Sequence, residues 1–176
     1  MTKGKSLNPS VAVNGSDVFV VWQDDTSGND EIYFRKSTDG GTSWNTAKKI
    51  TDNAGASTSP AIAVDGSDVY IVWADSTPGT SQVHFMRSAD GGATWPSPSV
   101  LTRNKTAAAG HPALAVVGAD VYVAWHNDGS AANGNSWISF KRSADRGAHW
   151  QSAKALSAPG GSAAASNPVL AAAASG

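Results

Sequence analysis

The 176-residue chain contains no cysteine. That excludes a disulfide framework and any thiolate metal site, and it leaves the redox compartment open. No apolar run approaches the roughly 18 residues that a bilayer-spanning helix requires, so no membrane span is expected. Excess charge is missing too: 13 Lys and Arg stand against 14 Asp and Glu, a formal net charge of −1. A balance this close to neutrality argues against a nucleic-acid groove or an anionic membrane surface as the main partner. The opening Met1-Thr-Lys-Gly-Lys-Ser6 lacks the apolar core of a secretion signal. That leaves a cytoplasmic chain or, as the preferred reading, a mature or excised segment bearing a start Met.

What is present is a repeat. Ser37-Thr-Asp39-Gly-Gly41-Thr-Ser43-Trp44 returns as Ser88-Ala-Asp90-Gly-Gly92-Ala-Thr94-Trp95 and again as Ser143-Ala-Asp145-Arg-Gly147-Ala-His149-Trp150. Pro9, Pro60, Pro112 and Pro168 each open an apolar run, at spacings of 51, 52 and 56 residues. Trp22, Trp73 and Trp125 keep the same phase. A period of about fifty residues points to propeller blades rather than to a helical solenoid.

The second repeat shows how one unit is built. Ala61 to Val64 reads as a short inner strand, Asp65-Gly66-Ser67 as a hairpin turn, and Asp68 to Trp73 as a second strand rich in β-branched and aromatic residues. After a polar loop, Gln82 to Arg87 supplies a third strand with Val83 and Phe85 on one face, and Val100-Leu101-Thr102 a fourth. Ile32/Phe34 and Ile138/Phe140 take the places of Val83/Phe85 in the other units. In the first strands, small residues alternate with larger ones, as in Val11-Ala12-Val13, which suits crowding toward a propeller axis. The fold class expected is all-β, with blades of four antiparallel strands at about 8–51, 59–102 and 111–157 and the start of a fourth repeat at 167–176. Asn167-Pro168-Val169-Leu170-Ala171 repeats the opening Asn8-Pro9-Ser10-Val11-Ala12 and is expected to form one extra inner strand.

The pattern S-x-D-x-G-x-T-W resembles the Asp-box, or bacterial neuraminidase repeat, of sialidase-like β-propellers, and the resemblance runs through all three units. The second copy matches every fixed position, while Ser43 and His149 replace the threonine in the others. The resemblance implies a hairpin turn between the third and fourth strands, on the periphery of the ring. Each residue of the structural set has a physical task. Ser37, Ser88 and Ser143 open the turns, and Asp39, Asp90 and Asp145 accept backbone N–H bonds inside them. Gly41, Gly92 and Gly147 supply conformations that other residues reach only under strain. Trp44, Trp95 and Trp150 fold back onto the blades, each burying about 150 to 250 Å². An acid needed once per site is not needed in every blade, so the aspartates read as staples, neither catalytic nor metal-binding. Lys36, Arg87 and Arg142, just before the motif serines, read as a solvated blade edge. No cofactor is assigned.

Ligands of propellers usually sit on the face opposite such turns. The loops there span 24–30, 75–81, 126–136, 51–59, 103–111 and 158–167, and they present Asp24, Asp25, Asp75, Arg103, His111, His126, Asp128 and Trp137 as candidates for a glycan or a cation. Enzymes of the resembled family hold a substrate carboxylate with three arginines and attack with a tyrosine activated by a glutamate. Their early Phe/Tyr-Arg-Ile-Pro motif is absent, and the only glutamate, Glu31, is a strand neighbour of Tyr33 rather than a partner brought from elsewhere in the ring. No catalytic residue is therefore assigned. The expected function is a non-catalytic module for glycan or protein binding or for surface assembly, the alternative being a fragment of a sialidase-like glycoside hydrolase.

Three blades do not close a ring, and an open arc exposes blade faces and strand edges. Two chains would make six blades, the number the family resemblance implies, related by a twofold axis. A homodimer is the expected assembly. The extra inner strand then either substitutes in the partner's first blade or belongs to a longer repeat array. Asn14-Gly-Ser16 and Asn104-Lys-Thr106 fit N-glycosylation acceptors, compatible with an extracellular or cell-surface location.

Overall fold

The computed structural model describes residues 4–77, 79–103, 107–129, 136–157 and 165–172. Among these residues there is no helix, and twelve strands form three four-stranded antiparallel sheets. The first blade comprises β1 (Ser6–Asn14), β2 (Asp17–Asp24), β3 (Glu31–Ser37) and β4 (Lys48–Lys49). The second comprises β5 (Ser57–Asp65), β6 (Asp68–Asp75), β7 (Gln82–Ser88) and β8 (Ser99–Val100). The third comprises β9 (Ala109–Val117), β10 (Asp120–Asn127), β11 (Trp137–Ser143) and β12 (Lys154–Ala155). Spatial order follows chain order in each, the meander of a propeller blade.

Each inner strand is broken by a bulge, and the bulge explains two landmarks of the sequence at once. Asn8-Pro9 faces Trp22, Ser59-Pro60 faces Trp73, and His111-Pro112 faces Trp125, two residues opposing one each time. Proline, with no N–H to donate, fits where the ladder is interrupted. The residue before it is left-handed, with φ of 49° at Asn8, 52° at Ser59 and 46° at His111. Prolines and tryptophans that share a phase in the sequence are therefore two sides of one structural point.

The outer strands hold only two residues each, where three were expected at 100–102. Leu101 turns inward to the core, and the Thr102 hydroxyl takes over as acceptor for the Val83 N–H at 2.9 Å. Thr51 does the same for Ile32 and Ser157 for Ile138.

The core lies between blades. Strand alternation gives each blade two apolar faces. Phe19, Val21, Ile32 and Phe34 of the first blade meet Ile62, Ile71, Trp73 and Met86 of the second. Tyr70, Val72, Val83 and Phe85 then meet Leu114, Val121, Val123 and Trp125 of the third. β6, between the two seams, is buried at all eight positions. Each seam is closed at its rim by a motif tryptophan crossing to the preceding blade: Trp95 stands edge-on to Phe34 and Trp150 edge-on to Phe85.

Two faces have no blade against them. On the first blade, Val11 is 61% exposed, whereas its counterpart Ile62 is 6% exposed. On the third, Leu170, Ala171 and Ala172 border a groove of about 300 Å³ with Tyr122 and Phe140. Asn167 repeats the left-handed φ at 51°, yet this stretch forms no strand among the described residues. Residues 173–176 of the expected fourth repeat, the Asn104 acceptor triplet, and parts of the 126–136 and 158–167 loops lie outside the described residues.

Candidate functional site

The repeated turn saturates its aspartate. Ser37 Oγ donates to Asp39 Oδ1 at 2.7 Å and accepts the Gly41 N–H at 2.9 Å, while Asp39 Oδ1 accepts the Ser43 N–H at 2.8 Å. Ser88/Asp90 and Ser143/Asp145 reproduce this pattern. The second carboxylate oxygen binds the hydroxyl of Ser43 or Thr94, and in the third copy His149 Nδ1 at 2.6 Å. Hydroxyl and imidazole thus serve one bond, which is why the position tolerates three residue types. The Ser43 hydroxyl, followed by its N–H and the Ser37 hydroxyl, draws Asp39 down to about 2. Asp90 is lowered chiefly by Ser88 and Asp145 chiefly by the His149 N–H. Every turn is tied to the inner hairpin beside it, Gly40 to Ser16, Gly91 to Ser67 and Arg146 to Ala119. The basic residues before the motif serines are paired: Lys36 with Asp17, Arg87 with Asp68 and Arg142 with Asp120, at 2.7, 2.7 and 2.9 Å.

At the other end of the blades, each second strand ends in Trp-x-Asp or Trp-x-Asn, and the indole N–H reaches the side chain two residues on. The distances are 3.4 Å for Trp22 to Asp24, 3.2 Å for Trp73 to Asp75 and 2.9 Å for Trp125 to Asn127. Asp24 also accepts from Ser6 and the Thr26 N–H; Asp75 accepts from Asn53, Ser57 and the Thr77 N–H. Burial pushes both carboxyls up, but the hydrogen bonds, led by Ser6 and Thr26 at Asp24 and by Thr77 at Asp75, leave each below its ordinary value. Asp25 accepts the Lys5 N–H.

Of the remaining candidates, His111, His126, Asp128 and Trp137 lie on the third blade and Arg103 in the connection leading to it. His111 and His126 face each other with ring centroids 5.9 Å apart, and His126 Nε2 lies 2.9 Å from Asp128 Oδ1. Arg103 and Trp137 both line a groove of about 450 Å³ at the second seam, with Asn127, Ser139, Lys141 and Ser152. Lys141 donates to the Leu101 carbonyl at 2.7 Å, and burial, with Arg103 adding repulsion, lowers its pKa. Lys141 was missed in the sequence, although its i+4 position after Trp137 on one strand puts both on one face. Glu31 is 1% exposed: its oxygens accept the Thr51 hydroxyl and the Asn53 N–H. Tyr33 is stacked on Trp22, centroids 5.9 Å apart and planes at 24°.

No protein-family model matches the chain, and no curated protein matches its sequence. Solved structures do. A Hadza microbial sialidase, Hz136, aligns with TM-score 0.65 and 16% identity over 82% of this chain and 36% of its own. Trypanosoma rangeli sialidase in complex with 2,3-difluorosialic acid aligns at 0.61 and 13%, over 84% of this chain and 29% of its own. Penicillium chrysogenum α-L-arabinanase complexed with arabinobiose aligns at 0.62 and 14%, over 88% of this chain and 50% of its own. The chain thus spans a half or less of these neighbours. Likeness at such identities carries the fold alone, and that fold is an arc of a β-propeller.

Proposed function

We propose that the chain is a non-catalytic Asp-box propeller module that binds a glycan or a surface protein and completes its ring with a second copy, outside the cell or on its surface. The observation that carries this reading is the state of Glu31. Its carboxylate is buried, with one oxygen accepting from Thr51 and the other from Asn53, so it is not placed to activate the half-buried Tyr33, which stacks on Trp22. The groove at the second seam is the preferred ligand site. Trp137 offers an apolar face for a sugar ring, and Arg103 offers a planar fork suited to a carboxylate on it. The Asp24, Asp25 and Asp75 carboxylates are occupied by internal donors and contribute by shaping loops.

A fluorogenic sialoside and a glycan array test this together. The expected outcome is no turnover and array binding that Arg103→Ala or Trp137→Ala abolishes. Turnover lost in Tyr33→Phe would instead favour the second reading, a piece of a glycoside hydrolase, which the naming of the structural neighbours as sialidases and an arabinanase supports.

A further inference from the structure

We infer that the open face of the third blade docks on the open face of the first blade of a second copy, with Phe140 seated over Gly41 and beneath Trp44 of that copy. This rests on the reading that the ring is completed by self-association, and it names the joint.

Both seams within the chain are built on one Phe–Gly–Trp joint. Phe34 stands 5.3 Å from Trp95 with planes at 73°, and a methyl group at Gly92 would come within 2.4 Å of Phe34 Cζ. Phe85 stands 5.0 Å from Trp150 at 77°, and a methyl group at Gly147 would come within 2.3 Å of Phe85 Cζ. The glycine is therefore the seat of a phenyl ring arriving from the preceding blade. Both halves of a third joint are present and unmated. Phe140 occupies the strand phase of Phe34 and Phe85, and beside Gly41 there is only its own Trp44, which is 36% exposed. The flank agrees: Val11 and Val13 are 61% and 59% exposed on β1, while Ile62 and Leu114, the counterparts of Val11, are 6% and 8% exposed in the closed seams. A polar guide marks the first seam but not the second, where Ser99 stands in place of the lysine. Lys48 Nζ donates to the Ala93 carbonyl at 2.9 Å across the first seam, and Lys154 holds the place of Lys48 on β12 as Thr42 holds that of Ala93.

Leu170, Ala171 and Ala172 already line the groove beside Phe140 that the second copy's β1 would enter, Leu170 matching Val11 in sequence phase. Which of the two yields is decided by what each would lose. β1 is paired with β2 at seven positions, so exchanging it breaks a whole ladder. The tail forms no ladder among the described residues, and its Val169 is 90% exposed. The tail is therefore the segment displaced: a placeholder over Phe140 that weakens assembly without preventing it.

The chain has no cysteine, so introduced thiols report single contacts. Chains carrying Lys154→Cys and Thr42→Cys are mixed and treated with a short bismaleimide; Lys48→Cys with Ala93→Cys in one chain calibrates the reach. Sedimentation velocity compares the full chain with Leu170→Asp, Phe140→Arg and Trp44→Ala, each checked for folding by circular dichroism. Expected are a two-chain particle, a cross-link in the mixture but in neither chain alone, association about tenfold tighter in Leu170→Asp, and monomers in Phe140→Arg and Trp44→Ala. A two-chain particle that ignores Phe140→Arg and gives no cross-link overturns the joint while leaving self-completion standing. Monomers of both the full chain and Leu170→Asp at about 100 µM overturn both. Weaker association in Leu170→Asp overturns the placeholder role of the tail.

Discussion

Phe85 of the second blade stands edge-on to Trp150 of the third, ring centroids 5.0 Å apart, in a space kept open by the missing side chain of Gly147. The repeated geometry of a turn that looks local is thus fitted to a ring contributed by another blade. Substitution at the motif glycines separates the two tasks. Gly41, Gly92 and Gly147 all have positive φ, at 91°, 85° and 87°, so alanine at any of them costs about 1–2 kcal/mol of backbone strain. Within a single chain, only Gly92 and Gly147 add a collision with phenylalanine, worth about 1–3 kcal/mol more. Measured in the Phe140→Arg background, which removes the ring proposed to reach Gly41 from a second copy, urea midpoints should therefore fall further for Gly92→Ala and Gly147→Ala than for Gly41→Ala.

The turn aspartates make stability depend on acid. Asp39 is held near 2 against an ordinary 3.8, and Asp90 and Asp145 are lowered in the same sense. A carboxyl whose folded value lies below its unfolded one stabilises fully above the unfolded value and loses that contribution as pH falls through the folded one. Melting temperature is expected to drop between pH of about 4 and 2, with a flatter slope in Asp90→Asn.

His84 should act near neutrality. It packs on Trp73 with both ring nitrogens buried and without a hydrogen-bond partner, and burial holds its pKa below 6.5 although Asp75 pulls it up. The unfolded chain takes up the proton first as pH falls, so stability declines below 6.5 until the lower folded value is passed, and is unaffected above. The gap in urea midpoint between wild type and His84→Leu should move in the variant's favour as pH is lowered from about 7.5 to 5.

Glu31 has an internal precedent. Gln82 stands at its position in the second blade and accepts the Thr102 hydroxyl at 2.9 Å, as Glu31 accepts that of Thr51. Glu31→Gln is expected to change stability by less than about 1 kcal/mol, whereas Glu31→Ala strands the Thr51 hydroxyl and the Asn53 N–H and costs about 2–3 kcal/mol. Thermal or chemical unfolding distinguishes the two variants.

The parts legible in the sequence are those whose partners lie close by. Ser88, Asp90 and Thr94 bond among themselves within seven residues, so the turn could be read as a turn. The phase of Pro60 and Trp73 was equally plain, but that they face each other depends on a bulge, a property of strand register that composition does not record. The brevity of β8 escaped for a related reason: the Thr102 hydroxyl stands in for a backbone partner. For the candidate site, residue types were legible and neighbourhoods were not. Arg103 and Trp137 line one groove only because two blades stack, and Glu31 is engaged by Thr51 and Asn53 from a loop beyond the next strand.

In β6, Tyr70 and Val72 point to one seam while Ile71 and Trp73 point to the other. Blades coupled only to their neighbours form a one-dimensional chain of interactions, in which an end unit leans on one junction and a middle unit on two. The second blade is consequently a keystone and the outer two are arms. Damage at β4 or β12 stays at the rim, whereas damage to β6 travels in both directions and leaves neither arm a surface to fold against.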